Sequence, residues 1–269
     1  MGILPALLLG VVQGFTEFWP ISSSAHLALL IHFLGWGSPK LSFVVALHLG
    51  TWLAVTWFYR RRLASILRAC WRELWSKERG DPQARLGWML LLATIPGLLM
   101  GAVFSESSEI MEGIPLLMVC LLAVFGLVLW MSDELAPEAK GLEKMGWRDA
   151  LSVGLAQALA LAPGVSRSGA SVTVARAAGV RRQDATDFAF LLSVPIIGAA
   201  AAFEGVKLAF GGMTADQLWP MLAGGGAAAV SGYLAVGFLL SRIRKGTFRP
   251  YAVYRLLLAV ILLGIILWR

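Results

Sequence analysis

Charge is what this sequence has least of. Asp, Glu, Lys and Arg make up 14% of its 269 residues, and a soluble domain of this length needs more polar surface than that supplies. Cysteine is nearly absent. Cys70 lies in a basic segment and Cys120 inside an apolar run, which excludes a disulfide framework. With only three histidines, no Cys/His cluster has zinc spacing. No Lys or Arg precedes Lys40. The N-terminus therefore lacks the basic start of a cleaved signal peptide, and residues 1–30 are expected to be retained. Basic stretches interleaved with aromatics are missing too, so a nucleic-acid partner is not expected despite a net charge of +7.

The chain is instead 58% hydrophobic, with a mean hydropathy of +0.74. Runs such as Leu116–Met131 and Leu256–Trp268 are long and apolar enough to cross a bilayer. Six spans are expected, at about 43–59, 87–104, 115–131, 186–204, 218–240 and 250–268. Regions 1–42 and 149–185 are also apolar, but Pro, Gly and clustered Ser interrupt them. Each holds one residue that hydrocarbon does not tolerate, Glu17 in the first and Arg167 in the second. Broken backbone at membrane depth survives only where protein buries it or where it lines a wet cavity. Both regions therefore read as re-entrant helix–loop–helix hairpins.

The basic residues orient this scheme. Most fall in four segments: 60–85, 140–148, 176–182 and 242–249. One threading puts all four in the cytoplasm, facing an anionic leaflet, with Arg255 snorkelling back to the same side. The loops at 35–42, 105–114 and 205–217 then lie outside, nearly free of Lys and Arg. In this threading the halves run in opposite directions. A shift of 144 residues also lays Ala6-Leu7-x-x-Gly10-x-x-Gln13 on Ala150-Leu151-x-x-Gly154-x-x-Gln157, and Ser22 and Ser24 on Ser166 and Ser168. The expectation is one all-α polytopic membrane domain built as an inverted-topology repeat. Its halves are about 1–131 and 145–269, joined by a cytoplasmic linker, and its site lies where the breaks meet. Residues 60–79 add an amphipathic helix, with Leu63, Ile66, Leu67, Cys70, Trp71, Leu74 and Trp75 on one face. It suits the membrane interface, or else a partner helix.

The chemistry sits in the two hairpins. The first carries Gln13 and Glu17, four apart and so on one helical face. After Pro20 come Ser22, Ser23 and Ser24, then His26. A carboxylate, hydroxyls and an imidazole are the parts of a nucleophilic or acid–base site. Helix capping by Ser22 is the competing structural role. The second hairpin reads Pro163-Gly164-Val165-Ser166-Arg167-Ser168-Gly169-Ala170-Ser171. Glycine lets a ligand approach the backbone, hydroxyls and amide donors at a helix start bind anions, and Arg167 offers a planar fork for phosphate. A salt bridge from Arg167 to Glu17 or Asp187 is the structural alternative, and it can coexist with phosphate binding.

These motifs resemble those of the bacterial undecaprenyl-diphosphate phosphatases, the bacitracin-resistance proteins. That family carries (E/Q)xxxE, a Ser-rich turn with a His, and PGxSRSxxT. Gln13, Glu17 and His26 match the first set, and Pro163, Gly164, Ser166, Arg167 and Ser168 the second. Ser171 stands where the last Thr would be. The resemblance implies hydrolysis of a C55 polyprenyl diphosphate to the monophosphate at the outer side of the bacterial inner membrane, and the charge threading independently predicts a site open to the periplasm. It also implies a divalent cation, Mg²⁺ or Ca²⁺, and no organic cofactor. On this reading Glu17, Ser23, His26 and Arg167 are catalytic. Ser22, Ser24, Gly164, Ser166, Arg167, Ser168 and Ser171 bind phosphate, while Glu17 and Gln13 hold the metal. Ser23 and His26 are expected on one side of a helix, with His26 taking the serine proton. Ser22, Ser24, His26 itself or an activated water stay open as the attacking group. A flippase using the same phosphate site is the competing function, and a scaffold leaves Glu17 and Arg167 unexplained. Partners are the lipid substrate and membrane lipids. The sequence leaves open whether the chain forms a homodimer.

Overall fold

In the computed structural model, every residue is described except 38, 77–79, 113, 212–214 and 269. Of 105–112, 204–211, 215 and 216 only the backbone is described. The described residues form eleven α-helices and no strand. They are α1 (Ile3–Phe18), α2 (Ser23–Phe33), α3 (Leu41–Phe58), α4 (Arg60–Trp75), α5 (Pro82–Glu112), α6 (Pro115–Leu135), α7 (Trp147–Ala158), α8 (Arg167–Ala177), α9 (Arg182–Gly211), α10 (Ala215–Ile243) and α11 (Arg249–Leu267). Six carry segments long and apolar enough to cross a membrane: Leu41–Phe58, Pro82–Phe104, Pro115–Leu135, Arg182–Phe203, Gln217–Ile243 and Arg249–Leu267. The chain is thus a multi-pass membrane protein, and these are the six spans that hydropathy locates.

Proline sets several boundaries. Pro115 and Pro250 open α6 and α11, where a missing N–H costs nothing. Pro20 ends α1. It bars its predecessor from helical geometry, and Trp19 is extended, at φ −75° and ψ 142°. The two interrupted regions become short helix pairs, α1–α2 and α7–α8. The breaks match in detail. Ser22 and Ser166, the N-caps of α2 and α8, have φ of 72° and 70°, and no other described non-glycine residue has positive φ.

The matched helices also share settings. Helix α1 packs on α10, and α7 packs on α5. A Cβ on Gly10 would strike the Gly224 carbonyl of α10, and one on Gly154 would strike the Ala93 carbonyl of α5. Glycine is thus needed at both places for the close crossing. Between these pairs α3 lies against α9, and Trp52 donates to the Val194 carbonyl at 2.8 Å.

Two basic residues depart from the charge-based expectation. Arg176 is fully buried. Its Nε bonds Asp133 Oδ1 at 3.1 Å, and the Arg182 Nε reaches the same oxygen at 2.6 Å. Asp133 also accepts the Phe248 amide at 2.8 Å. This knot ties α6, α8 and α9 to the start of α11, so Arg176 is an internal tie and not a loop charge. Arg255 is 0% exposed. It does not snorkel, because its guanidinium is engaged by backbone carbonyls inside the bundle.

Helix α4 follows α3 with only Tyr59 between. Its apolar residues divide: Ile66 and Ala69 are buried, with Ile66 and Cys70 against Gly87 of α5, while Leu67, Trp71, Leu74 and Trp75 stay exposed beside Arg68 and Arg72. The segment expected to continue to residue 79 is helical to Trp75, and 77–79 lie outside the described residues.

Candidate active site

The site forms where the turn after α1 meets the turn before α8. Glu17, in the last turn of α1, is 7% exposed. Its Oε1 accepts Arg167 Nη2 at 2.7 Å. Its Oε2 accepts the Ser23 hydroxyl at 2.8 Å and Gln13 Nε2 at 2.9 Å. One carboxylate thus collects the i−4 residue of its own helix, the first residue of α2 and the first residue of α8. The turns place these last two at helix N-termini, whose dipoles favour anions.

Among the described residues, Arg167 Nη1 and Gln13 Oε1 are buried at the site without a partner. Such atoms are costly unless something binds them. Arg167 therefore pairs with Glu17 through one nitrogen and keeps the other free, so the salt bridge leaves a donor available for an anion. Asp187, the other acid considered for Arg167, bonds Tyr59 and Arg62 instead.

The other site residues fall around this centre. The Ser22 and Ser24 hydroxyls lie 3.1 Å apart, and Ser166 and Ser168 repeat the pairing at 3.3 Å. Ser22 makes no capping bond, whereas Ser166 accepts the Gly169 amide at 3.2 Å. The Ser168 hydroxyl lies 3.1 Å from the Trp19 carbonyl oxygen and 3.3 Å from that of Glu17, which stitches the two turns together. Ser171 is buried in α8. Gly164, at φ 93°, passes so close to the Met118 carbonyl of α6 that no side chain fits.

His26 differs from expectation. Among the described residues it makes no bond to Ser23. Its Nδ1 lies 2.7 Å from the Ser22 carbonyl oxygen, and its Nε2 lies 2.7 Å from the Tyr254 hydroxyl of α11. A carbonyl can only accept, so Nδ1 is the protonated nitrogen, and Nε2 in the neutral ring accepts from Tyr254. The Ser23 proton points at Glu17.

One neighbour escaped the sequence reading. His48 of α3 puts Nε2 3.9 Å from Glu17 Oε2, with Nδ1 on the Val44 carbonyl at 2.9 Å. It sits mid-span, and the criterion applied to Glu17 and Arg167, a polar group inside a membrane segment, would have found it. No group of three or more His, Cys, Asp or Glu side chains capable of holding a metal occurs among the described residues.

The sequence profile of the family described as bacitracin resistance protein BacA matches residues 6–261. The chain is similar to a protein named undecaprenyl-diphosphatase from Rubrobacter xylanophilus, 41% identical over 98% of each chain. It is likewise similar to an undecaprenyl-diphosphatase from Gemmatimonas aurantiaca, 41% identical over 97% of each. The undecaprenyl-diphosphatase 2 of Stutzerimonas stutzeri is 39% identical over 98% of each.

Proposed function

This chain belongs to the bacitracin resistance protein BacA family, and from that premise we propose how it acts. It is a membrane phosphatase that hydrolyses undecaprenyl diphosphate to undecaprenyl phosphate and inorganic phosphate. The observation that carries the mechanism is the convergence of Ser23 and Arg167 on the two oxygens of Glu17. Glu17 takes the Ser23 proton as Oγ attacks the terminal phosphorus. The bond from that phosphorus to the bridging oxygen breaks, and undecaprenyl phosphate leaves with the proton. A water then attacks the phosphoserine, giving its proton through Glu17 to the departing Ser23 oxygen. Arg167 Nη1, aided by the N-termini of α2 and α8, binds the charge of the phosphoryl oxygens.

A divalent cation suits this donor set. Mg²⁺ commonly takes one or two carboxylates and completes its shell with substrate phosphates. Glu17 and the unpartnered Gln13 Oε1 would hold the ion, and it would offset the charge of the diphosphate.

The architecture we propose is an inverted repeat of 1–131 and 145–269, with α1–α2 and α7–α8 as re-entrant pairs. Its support is the match of Gly10 with Gly154 in setting and of Ser22 with Ser166 in conformation. Such repeats also build transporters. Purified protein in detergent should release inorganic phosphate from the lipid diphosphate; a pure flippase releases none.

Arg167→Lys should lower kcat/KM about 10- to 100-fold, since one ammonium cannot both pair with Glu17 and present a free fork to phosphate. Near-native kinetics would reduce Arg167 to a salt-bridge partner.

The site opens to the outer side of the bacterial inner membrane. In a background without Cys70 and Cys120, an impermeant thiol reagent applied to intact cells should label Gly37→Cys and spare Ser76→Cys. Both positions are exposed, so access alone decides the result. The reverse pattern would invert the topology. Ser107, in the second of the three expected outer loops, lies outside the residues whose side chains are described.

A further inference from the structure

Arg255 of α11 has no carboxylate partner among the described residues, though it is 0% exposed. Its partners are all main-chain oxygens: Nε to Leu122 at 3.1 Å, Nη1 to Pro20 at 3.4 Å, and Nη2 to Gly164 at 2.8 Å and Val165 at 3.1 Å. Pro20 and Gly164 are the same position of the two matched turns, 144 residues apart. Each lies two residues before a left-handed serine and three before the side chain that reaches Glu17, which is Ser23 in one turn and Arg167 in the other. A buried cation without a counter-charge is costly. A bundle that needed only apolar packing here would not carry one.

We infer that Arg255 is a positioning residue for catalysis: its guanidinium clasps both turns at once and so sets the separation of the Ser23 hydroxyl from Arg167. This rests on the reading of Ser23, Glu17 and Arg167 given above. The planar fork is required, because three nitrogens in fixed directions serve α6 and the two turns together, and an ammonium has no such spread. Gly169 leaves the space, as a Cβ there would lie 2.9 Å from Nη1. The adjacent Tyr254 holds His26, so α11 touches the first hairpin twice. The uncompensated charge also sits behind the two helix N-termini, where it adds to the pull on an anionic substrate.

The test separates geometry from charge. Arg255→Lys, purified and monodisperse, should lose about 20-fold or more in kcat with KM within about threefold, because misplacement on the order of 1 Å costs about that much or more. Arg255→Gln, which also removes the charge, should lose kcat and in addition raise KM. As a readout independent of turnover, Ser23→Cys should react with a small thiol reagent at a rate that shifts at least about threefold when Arg255→Lys is added. Arg255→Lys with near-native kcat, and no change in the labelling rate of the Ser23→Cys thiol, would overturn the clasp. A lowered melting temperature with native kinetics would overturn it as well. Ser23→Ala run alongside tells the two readings apart. An active Ser23→Ala sinks the serine nucleophile alone, and a native-like Arg255→Lys beside an inactive Ser23→Ala sinks the clasp alone.

Discussion

Ser23→Ala should leave less than about one hundredth of normal kcat, a loss of about 2.7 kcal/mol of barrier stabilisation or more, with KM little changed. On the proposed mechanism the hydroxyl is the attacking group and contributes little to binding, since Arg167 Nη1 and the helix N-termini remain. Ser22→Ala and Ser24→Ala should keep more activity, because those two hydroxyls hydrogen-bond each other, whereas the bond to Glu17 comes from Ser23. Steady-state kinetics on purified protein decide the matter. More than about a tenth of normal kcat in Ser23→Ala would remove it as nucleophile and move the attack to water or His26.

Glu17→Gln should be at least as damaging, with kcat down about a thousandfold or more. The amide keeps the size of the side chain and can still meet Ser23, but it cannot take a proton near neutral pH. The direction of KM is informative. Neutralising Glu17 frees Arg167 from its 2.7 Å bridge, so at saturating divalent cation KM for the anionic substrate should stay level or fall while kcat collapses. A rise in KM with kcat preserved would make Glu17 a binding residue and leave the base unassigned. Gln13 should matter less, since its amide can position Glu17 or coordinate a cation but cannot act as a base. Some loss of thermal stability accompanies Glu17→Gln, because it leaves Arg167 partly buried and without its counter-charge.

Much of this was legible in the residues. The six spans needed only length and apolarity, and the breaks needed only Pro20, Pro163, Gly164 and two charges in hydrocarbon. The motifs led to residues that the fold brings together, because burying Glu17 or Arg167 alone is prohibitive and each had to meet a partner. Which partner was harder to see. Ser23 and His26 are three apart on α2, a spacing that allows contact. His26 is instead held by Tyr254, 228 positions away, and by a carbonyl freed at the turn. Local spacing gives opportunity, and long-range packing chooses. The same limit hid Arg176 and Arg255. Counting basic residues treats each as a solvated loop charge, and that treatment fails where Asp133 or a set of turn carbonyls brings the arginine inside.

The two left-handed serines bear on how such a site arises. Carry the 144-residue match through the turns and the halves cease to be chemically alike. Glu17 falls on Leu161, His26 on Ala170, and Ser23 on Arg167. The backbone repeats its rare conformation, but the first helical residue after it is a hydroxyl in one copy, the proposed nucleophile, and a guanidinium in the other, the proposed phosphate binder. On the proposed repeat, neither copy holds a complete reaction centre. If the halves are such a repeat, the labour is divided between two like launch points, and both turn toward one carboxylate. Turnover then depends on the seam between the copies, where a shift of one turn against the other parts Ser23 and Arg167 from their shared carboxylate.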